Sequence, residues 1–277
     1  MNLLLLSGSR AAGNLPSDIK PGYLAFAEAW IKEFFASAIE QGKPILFVPY
    51  ARAGGDSEEE YFDFVRPTME KMGTKLLCAP AEGITEQTLA NVGGIYIGGG
   101  HTYTLLDKLQ KTKSLDVIRK KVKEGLPYLG SSAGTIIACP NIKSTNDMPG
   151  LASDFIDLRS FGFINFQLNC HYIDNAMHDS KHQGEKRDDR LEEICKFNKD
   201  MPVLGLYEGT ALRIKGNKTF VLTSESARSF KPPVFINERR DEISCQVGEP
   251  KDITDIMKLE NLKSELACSD SQFSCSK

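Results

Sequence analysis

The chain has 277 residues, 41% hydrophobic and 26% charged, with a formal net charge of −3, an ordinary globular composition with material for a sizeable core. No long run of one charge sign occurs, which speaks against nucleic acid or a membrane surface as the main partner. The apolar opening Met1–Gly8 lacks a basic start, a longer apolar stretch and a small-residue cleavage site, and nowhere do about eighteen apolar residues follow one another, so neither a signal peptide nor a transmembrane helix is expected.

In chain order, Leu3–Leu6 reads as a strand, and Tyr23–Ile39 repeats its apolar residues at helical spacing. Pro44–Pro49 is a second strand, Ser57–Met72 a second helix, and Thr74–Cys78 and Gly94–Ile97 two further strands separated by Ile84–Ala90. Two short helices over Tyr103–Val122 lead into Pro127-Tyr128-Leu129-Gly130. These strands are nearly continuous in apolar residues, as strands are when helices cover both faces. The alternation predicts a doubly wound, mostly parallel α/β sheet. Beyond Pro149 the pattern loosens: Phe155–Phe166 is loop or strand, Leu168–Tyr172 a strand, Glu185–Phe197 a helix with a charged face, and Pro202–Tyr207 a buried strand. Leu212–Ile214 and Thr219–Leu222 flank the hairpin signature Lys215-Gly216-Asn217-Lys218. A catalytic domain over residues 1–231 is thus expected, followed by a polar extension over 232–277. That extension is read as one amphipathic helix (Ile253–Ala267) and a disordered tail, open to a role as a homodimer contact or a solvated end.

Seven cysteines (78, 139, 170, 195, 245, 268 and 275) form no CxxC pair and no regular framework, which reads as reduced thiols and a cytoplasmic location. Cys170 beside His171 raises a Cys–His nucleophile. Neighbouring side chains on an extended strand point to opposite faces, so a packed thiol is the preferred reading.

Gly130-Ser131-Ser132-Ala133-Gly134 is G-x-S-x-G, directly after a strand and before the helix-forming Ala133–Ala138. A bare G-x-S-x-G is better explained as a Gly/Ser-rich turn; the strand–turn–helix context reverses that preference and points to a nucleophile elbow that exposes Ser132. The N–H of Ala133, at the following helix start, faces a developing oxyanion. Gly98-Gly99-Gly100 closes another parallel strand on the same sheet edge and offers a second oxyanion N–H, from Gly100. Of the four histidines, His171 follows a strand and is the candidate base. His178 and His182 lie in a polar stretch, and His101, next to the glycine loop, is placed at the substrate. The acid that orients the base is Glu208, at a strand end, or Asp147, in the loop beyond the elbow helix; the residues alone leave both open.

Taken together, Leu129–Gly134, Ala138-Cys139-Pro140, Thr145–Pro149, Gly98–Gly100, His171, Gly184-Glu185 with Arg187 and Arg190, and Gly205–Gly209 resemble peptidase E, the aspartyl dipeptidase family, over about residues 1–230. The resemblance implies a class I glutamine amidotransferase-like fold with serine in place of cysteine. It implies hydrolysis of dipeptides with an N-terminal aspartate, without metal or cofactor. It makes Ser132 the nucleophile, His171 the base and Glu208 its orienting acid, with Asp147 in the relay or holding substrate. Arg187 is the candidate reader of the substrate's side-chain carboxylate, since a guanidinium binds a carboxylate through two hydrogen bonds; Glu185 or Asp147 would meet the substrate's ammonium. Four departures from the family pattern surround the expected cleft: His101 for asparagine, Ser131 for tryptophan, Lys186 for threonine, and a longer loop around Ser153–Asn165. The rival readings are a cyanophycinase-like β-aspartyl hydrolase, a general serine esterase using Asp147 or Asp157, and a catalytically silent binding protein.

Overall fold

The computed structural model describes residues 1–10, 22–53, 57–149, 156–173, 186–198, 201–224, 234–236 and 240–257. Its centre is an eight-stranded sheet in the order β12-β9-β8-β1-β5-β4-β2-β3. The strands β1 (Asn2–Leu6), β5 (Tyr128–Ser131), β4 (Gly94–Ile97), β2 (Ile45–Val48) and β3 (Leu76–Cys78) are mutually parallel. On the other side of β1, β8 (Thr210–Lys215), β9 (Lys218–Thr223) and β12 (Lys251–Asp252) add antiparallel strands. Successive strand residues enter opposite layers of the core. Leu3, Leu5 and Ile97 pack beneath α5 (Thr102–Lys111) and α6 (Ser114–Lys123). Leu4, Leu6 and Tyr96 pack with Ile31 of α1 (Glu28–Phe34), Ala38 of α2 (Ala36–Glu40) and Val65 of α3 (Glu58–Lys71). Burial on both faces is why the strands read as unbroken apolar runs, and the expected doubly wound, mostly parallel α/β architecture is what the chain adopts.

The helix read over Tyr23–Ile39 is divided: a 3-10 turn (Ala25–Ala27) precedes α1 and α2, which meet at Phe35. α3 begins where the sequence places it, at Ser57, whose hydroxyl accepts from the Glu60 N–H while the Glu60 carboxylate accepts from the Ser57 N–H. The separator expected over Ile84–Ala90 is the short α4 (Glu86–Leu89).

A second sheet, β11-β10-β7-β6, completes the fold. β6 (Gln167–Asn169) and β7 (Val203–Gly205) are parallel neighbours, and β10 (Val234–Ile236) and β11 (Arg240–Glu242) continue antiparallel. The boundary expected after residue 231 is therefore crossed by both sheets, since β10 and β11 extend one and β12 the other. β11 and β12 are polar because each is an edge strand with exposed residues, which hides them from a hydrophobicity reading. The helix expected over Ile253–Ala267 falls mostly outside the described residues, and 254–257 form a turn closed by the Met257 N–H on the Ile253 carbonyl.

Candidate active site

β5 ends at Ser131, and the chain turns at Ser132 into the one-turn helix α7 (Ala133–Ile136). Ser132 stands at φ 50°, ψ −111°, a conformation costly for a residue with a side chain. The turn closes only because its neighbours are glycine. A Cβ on Gly130 would lie 2.5 Å from the Gly134 carbonyl oxygen, and one on Gly134 would lie 2.1 Å from that of Ile97. The Ser132 N–H donates to the Leu6 carbonyl (3.1 Å), tying the turn to β1.

The second sheet supplies what faces the hydroxyl. Because β6 and β7 are parallel and paired Asn169 to Gly205, their carboxyl ends lie side by side. His171 leaves one and Glu208 the other. His171 lies in the turn just past β6 rather than within a strand, at φ 52°. Its Nδ1 is 2.9 Å from Glu208 Oε1, and its Nε2 is 2.8 Å from Ser132 Oγ. A carboxylate only accepts, so Nδ1 carries the proton and donates; Nε2 is then the lone-pair nitrogen that receives the serine O–H. Ser7, just past β1, joins the two sheets at this point. Its hydroxyl accepts from the His171 N–H (3.0 Å) and donates to the Leu206 carbonyl (2.7 Å). Gly8 follows where a Cβ would meet the His171 ring at 2.8 Å.

Across from His171, a Cβ on Gly99 would lie 3.1 Å from the Ser132 Cβ, and Gly100 has φ 138° with no room for a side chain against Ala51. No backbone carbonyl among the described residues takes the N–H of Gly100 or of Ala133. Ala133 directly follows Ser132, and Gly100 lines the same cavity as Ser132. A cavity of about 710 Å³ opens over this group, lined by Ser132, His171, Asp147, Gly99 and Gly100 together with Arg10, Arg52, Glu60 and Phe64.

Comparison with known proteins decides the family. The profile of peptidase family S51 matches residues 3–222. The chain belongs to peptidase family S51. A probable alpha-aspartyl dipeptidase of Drosophila melanogaster is 40% identical over 231 residues, covering 83% of this chain and 90% of that protein. A peptidase E of a Nostoc species is 37% identical, covering 79% and 88% respectively. Among solved structures, a peptidase from an acI-B1 actinobacterium superposes with a TM-score of 0.61 at 20% identity, over 91% of this chain and 96% of that one. A putative peptidase E protein of Listeria monocytogenes gives 0.58, also at 20% identity, over 80% and 98%.

Within this S51 site the two candidate acids separate. Glu208 is on His171, whereas Asp147 Oδ2 accepts from the Thr102 N–H (2.7 Å) and the Thr145 hydroxyl (3.2 Å), capping α5 at the cavity wall. His101 is not at the cavity as the sequence suggested. Its Nδ1 bonds to the N–H and hydroxyl of Thr104, and Nε2–H donates to the Met148 carbonyl (2.8 Å), so it caps α5 and straps down the Asp147 loop. Arg187, at the start of α8 (Arg187–Phe197), is not among the lining residues either. Its guanidinium donates to Asn169 Oδ1 (3.1 Å) and the His171 carbonyl (3.4 Å), behind the base. Glu185, His178 and His182 lie outside the described residues. Cys170 is fully buried, and burial pushes its thiol well above the ordinary range, as a packed neutral thiol requires. No group of three or more His, Cys, Asp or Glu among the described residues is arranged to hold a metal, and none of the described helices is long and apolar enough to cross a membrane.

The sequence reading missed Ser7, Gly8, Arg10, Arg52 and Glu60. Ser7 and Gly8 had a usable signal: they directly follow β1, on the carboxyl edge where α/β sheets bind ligands. Arg52 follows β2 in the same way, and its guanidinium lies 4.7 Å over the Tyr61 ring.

Proposed function

We propose that this chain is a serine-type dipeptidase that hydrolyses dipeptides with an N-terminal aspartate through an acyl-enzyme on Ser132. The observation that carries the reading is the unbroken line of hydrogen bonds from Ser132 through His171 to Glu208, with Ser132 and His171 lining a cavity that also holds charged side chains. His171 Nε2 takes the Ser132 proton as Oγ attacks the scissile carbonyl. The N–H groups of Gly100 and Ala133 receive the oxyanion, and Glu208 stabilises the imidazolium that forms. His171 then gives its proton to the leaving amine; water, deprotonated by the same nitrogen, releases aspartate and restores Ser132.

The cavity's charges suit such a substrate. A dipeptide with N-terminal aspartate carries one ammonium and two carboxylates, and the walls hold the guanidinium groups of Arg10 and Arg52 with the carboxylates of Asp147 and Glu60. Arg10 and Arg52 are therefore our candidates for the carboxylate readers, and Asp147 for the ammonium. Arg187, expected in that role, is instead bonded to Asn169 and to the His171 carbonyl. The names of the relatives, alpha-aspartyl dipeptidase and peptidase E, support the same substrate class. The unpaired cysteine pattern supports the cytosol as its compartment.

Hydrolysis of Asp-Leu, Glu-Leu, Asn-Leu and N-acetyl-Asp-Leu tests the reading. Cleavage confined to Asp-Leu is expected, because both the β-carboxylate and the free amine are read. Failure of the wild-type protein to cut Asp-Leu, with cleavage of β-aspartyl peptides or simple esters instead, would overturn it.

A further inference from the structure

Beneath the nucleophile runs a chain of hydroxyl groups that the chemistry above does not use. Ser131 Oγ is 3.1 Å from the Tyr96 hydroxyl, which is 2.7 Å from that of Tyr23, itself 3.2 Å from that of Tyr61. At the far end, the Tyr61 hydroxyl packs against the glycine loop, where a Cβ on Gly98 would lie 2.6 Å from its oxygen. A tyrosine hydroxyl donates one hydrogen bond and accepts others, so the three links can run in one direction, from Tyr61 to Ser131. The chain therefore starts against the glycine loop and ends on the residue before Ser132. Its members come from four places: β5, β4, the segment ahead of the first helical turn, and α3. All of the side chains are buried. Burial raises all three tyrosines above the ordinary phenol range, so they stay protonated and remain donors at physiological pH.

The glycine loop has little else to define it. Three glycines in succession give the backbone maximal freedom, yet an oxyanion donor must be held within about half an ångström of its working position. Gly98 is anchored to the Val48 carbonyl (3.3 Å), and the His101 N–H to the Ala51 carbonyl (2.8 Å). Between them, the Tyr61 hydroxyl closes off the inner side of Gly98, and a Cβ on Gly99 would lie 3.3 Å from the Ser131 carbonyl oxygen, so the loop and the elbow are in direct contact. Gly100, next in the loop, lines the same cavity as Ser132. We propose that Tyr96, Tyr23 and Tyr61 are positioning residues, whose linked hydroxyls set the Gly99–Gly100 loop against the Ser131–Ser132 elbow so that the oxyanion donors and the nucleophile share one fixed geometry. This rests on the peptidase reading, and it adds a device that acts on the transition state and leaves ground-state binding alone. Tyr96 is the cleanest probe, since it does not line the cavity.

The test compares Tyr96→Phe and Ser131→Ala, which break the chain at two points, with wild type and with Tyr50→Phe. That last variant also loses a buried tyrosine hydroxyl, one bonded to the Pro80 carbonyl outside this chain. For Asp-Leu, kcat should fall about tenfold in both chain-breaking variants with KM unchanged within about twofold, the signature of an interaction made only in the transition state. An aspartyl boronic acid, which places a tetrahedral oxygen among the oxyanion donors, should bind about tenfold more weakly to both, while the product aspartate binds as to wild type. Tyr50→Phe should match wild type in every kinetic constant. Unchanged kcat in both chain-breaking variants would overturn the proposal; so would equal losses of boronate and aspartate affinity, or the same loss in Tyr50→Phe. If wild type itself fails to cleave Asp-Leu, the substrate reading fails and this inference with it; cleavage by wild type with no response in the variants sinks the inference alone.

Discussion

Replacing Glu208 with glutamine removes one charge and preserves the side chain's length and its accepting oxygen. The His171 Nδ1–H can still be met, so the lost quantity is the attraction between the carboxylate and the imidazolium that forms as Ser132 attacks. At a charge separation of about 4 Å that attraction is about 4 kcal/mol at the effective dielectric near a protein surface and about 1 kcal/mol in bulk water. The side chains of His171 and Glu208 are 41% and 35% exposed, so solvent screening places this pair between those limits, at about 2–3 kcal/mol. Since the imidazolium exists only along the reaction path, the loss belongs to kcat: about 30- to 150-fold, with KM nearly unchanged. Steady-state hydrolysis of Asp-Leu by wild type and Glu208→Gln measures this directly. A loss below threefold would show that Glu208 does not support the base. A loss equal to that of Ser132→Ala would show that the residue does more than stabilise charge.

Four further outcomes follow from the same geometry. Gly8→Ala places a methyl 2.8 Å from the His171 ring, and should cut kcat by about 10²-fold through misplacement of the base while circular dichroism stays native; undiminished kcat would contradict the contact. Cys170→Ala should keep kcat within about threefold and lose about 1–2 kcal/mol of stability by denaturant titration, the cost of trimming a buried side chain; loss of activity as deep as in Ser132→Ala would revive a thiol nucleophile. Arg10→Gln and Arg52→Gln should raise KM for Asp-Leu about 10-fold or more, as loss of a charge-assisted carboxylate contact does, whereas Arg187→Gln should act on kcat by slackening the His171 backbone. Abolition of the preference for Asp-Leu over Asn-Leu by Arg187→Gln alone would reverse that assignment. Arg240→Met removes the guanidinium that lies 3.4 Å from the buried Asp188 carboxylate, which keeps the Tyr172 hydroxyl as a donor but loses this cation, and should cost about 3 kcal/mol in a urea titration; an unchanged midpoint would show that β11 contributes no such brace.

Ser132 was legible because its conformation makes demands on its neighbours: a turn that would bring a Cβ on Gly134 to 2.1 Å of the Ile97 oxygen admits only glycine there. The continuous strands Leu3–Leu6 and Gly94–Ile97 were legible for the same local reason, since burial on both faces is written residue by residue. The choice between Asp147 and Glu208 was not legible from the residues alone. It depends on β6 pairing in parallel with β7, a contact between distant segments that leaves no mark in either. His101 misled because its place beside the glycine loop suggested substrate, whereas its ring caps the helix it begins. The tyrosine chain was invisible for a related reason. In the sequence Tyr23 and Tyr61 fall among apolar residues repeating at helical spacing and Tyr96 in an apolar strand, so each reads as core, and only the fold shows their hydroxyls converging.

The central claim, acylation of Ser132 by an aspartyl substrate, is tested most directly by acid-quenching the enzyme during turnover of aspartyl p-nitroanilide and mapping the covalent adduct by peptide mass spectrometry. One aspartyl group on the peptide containing Ser132, absent from Ser132→Ala, is the expected result. An adduct on another residue, or full turnover by Ser132→Ala, would contradict it.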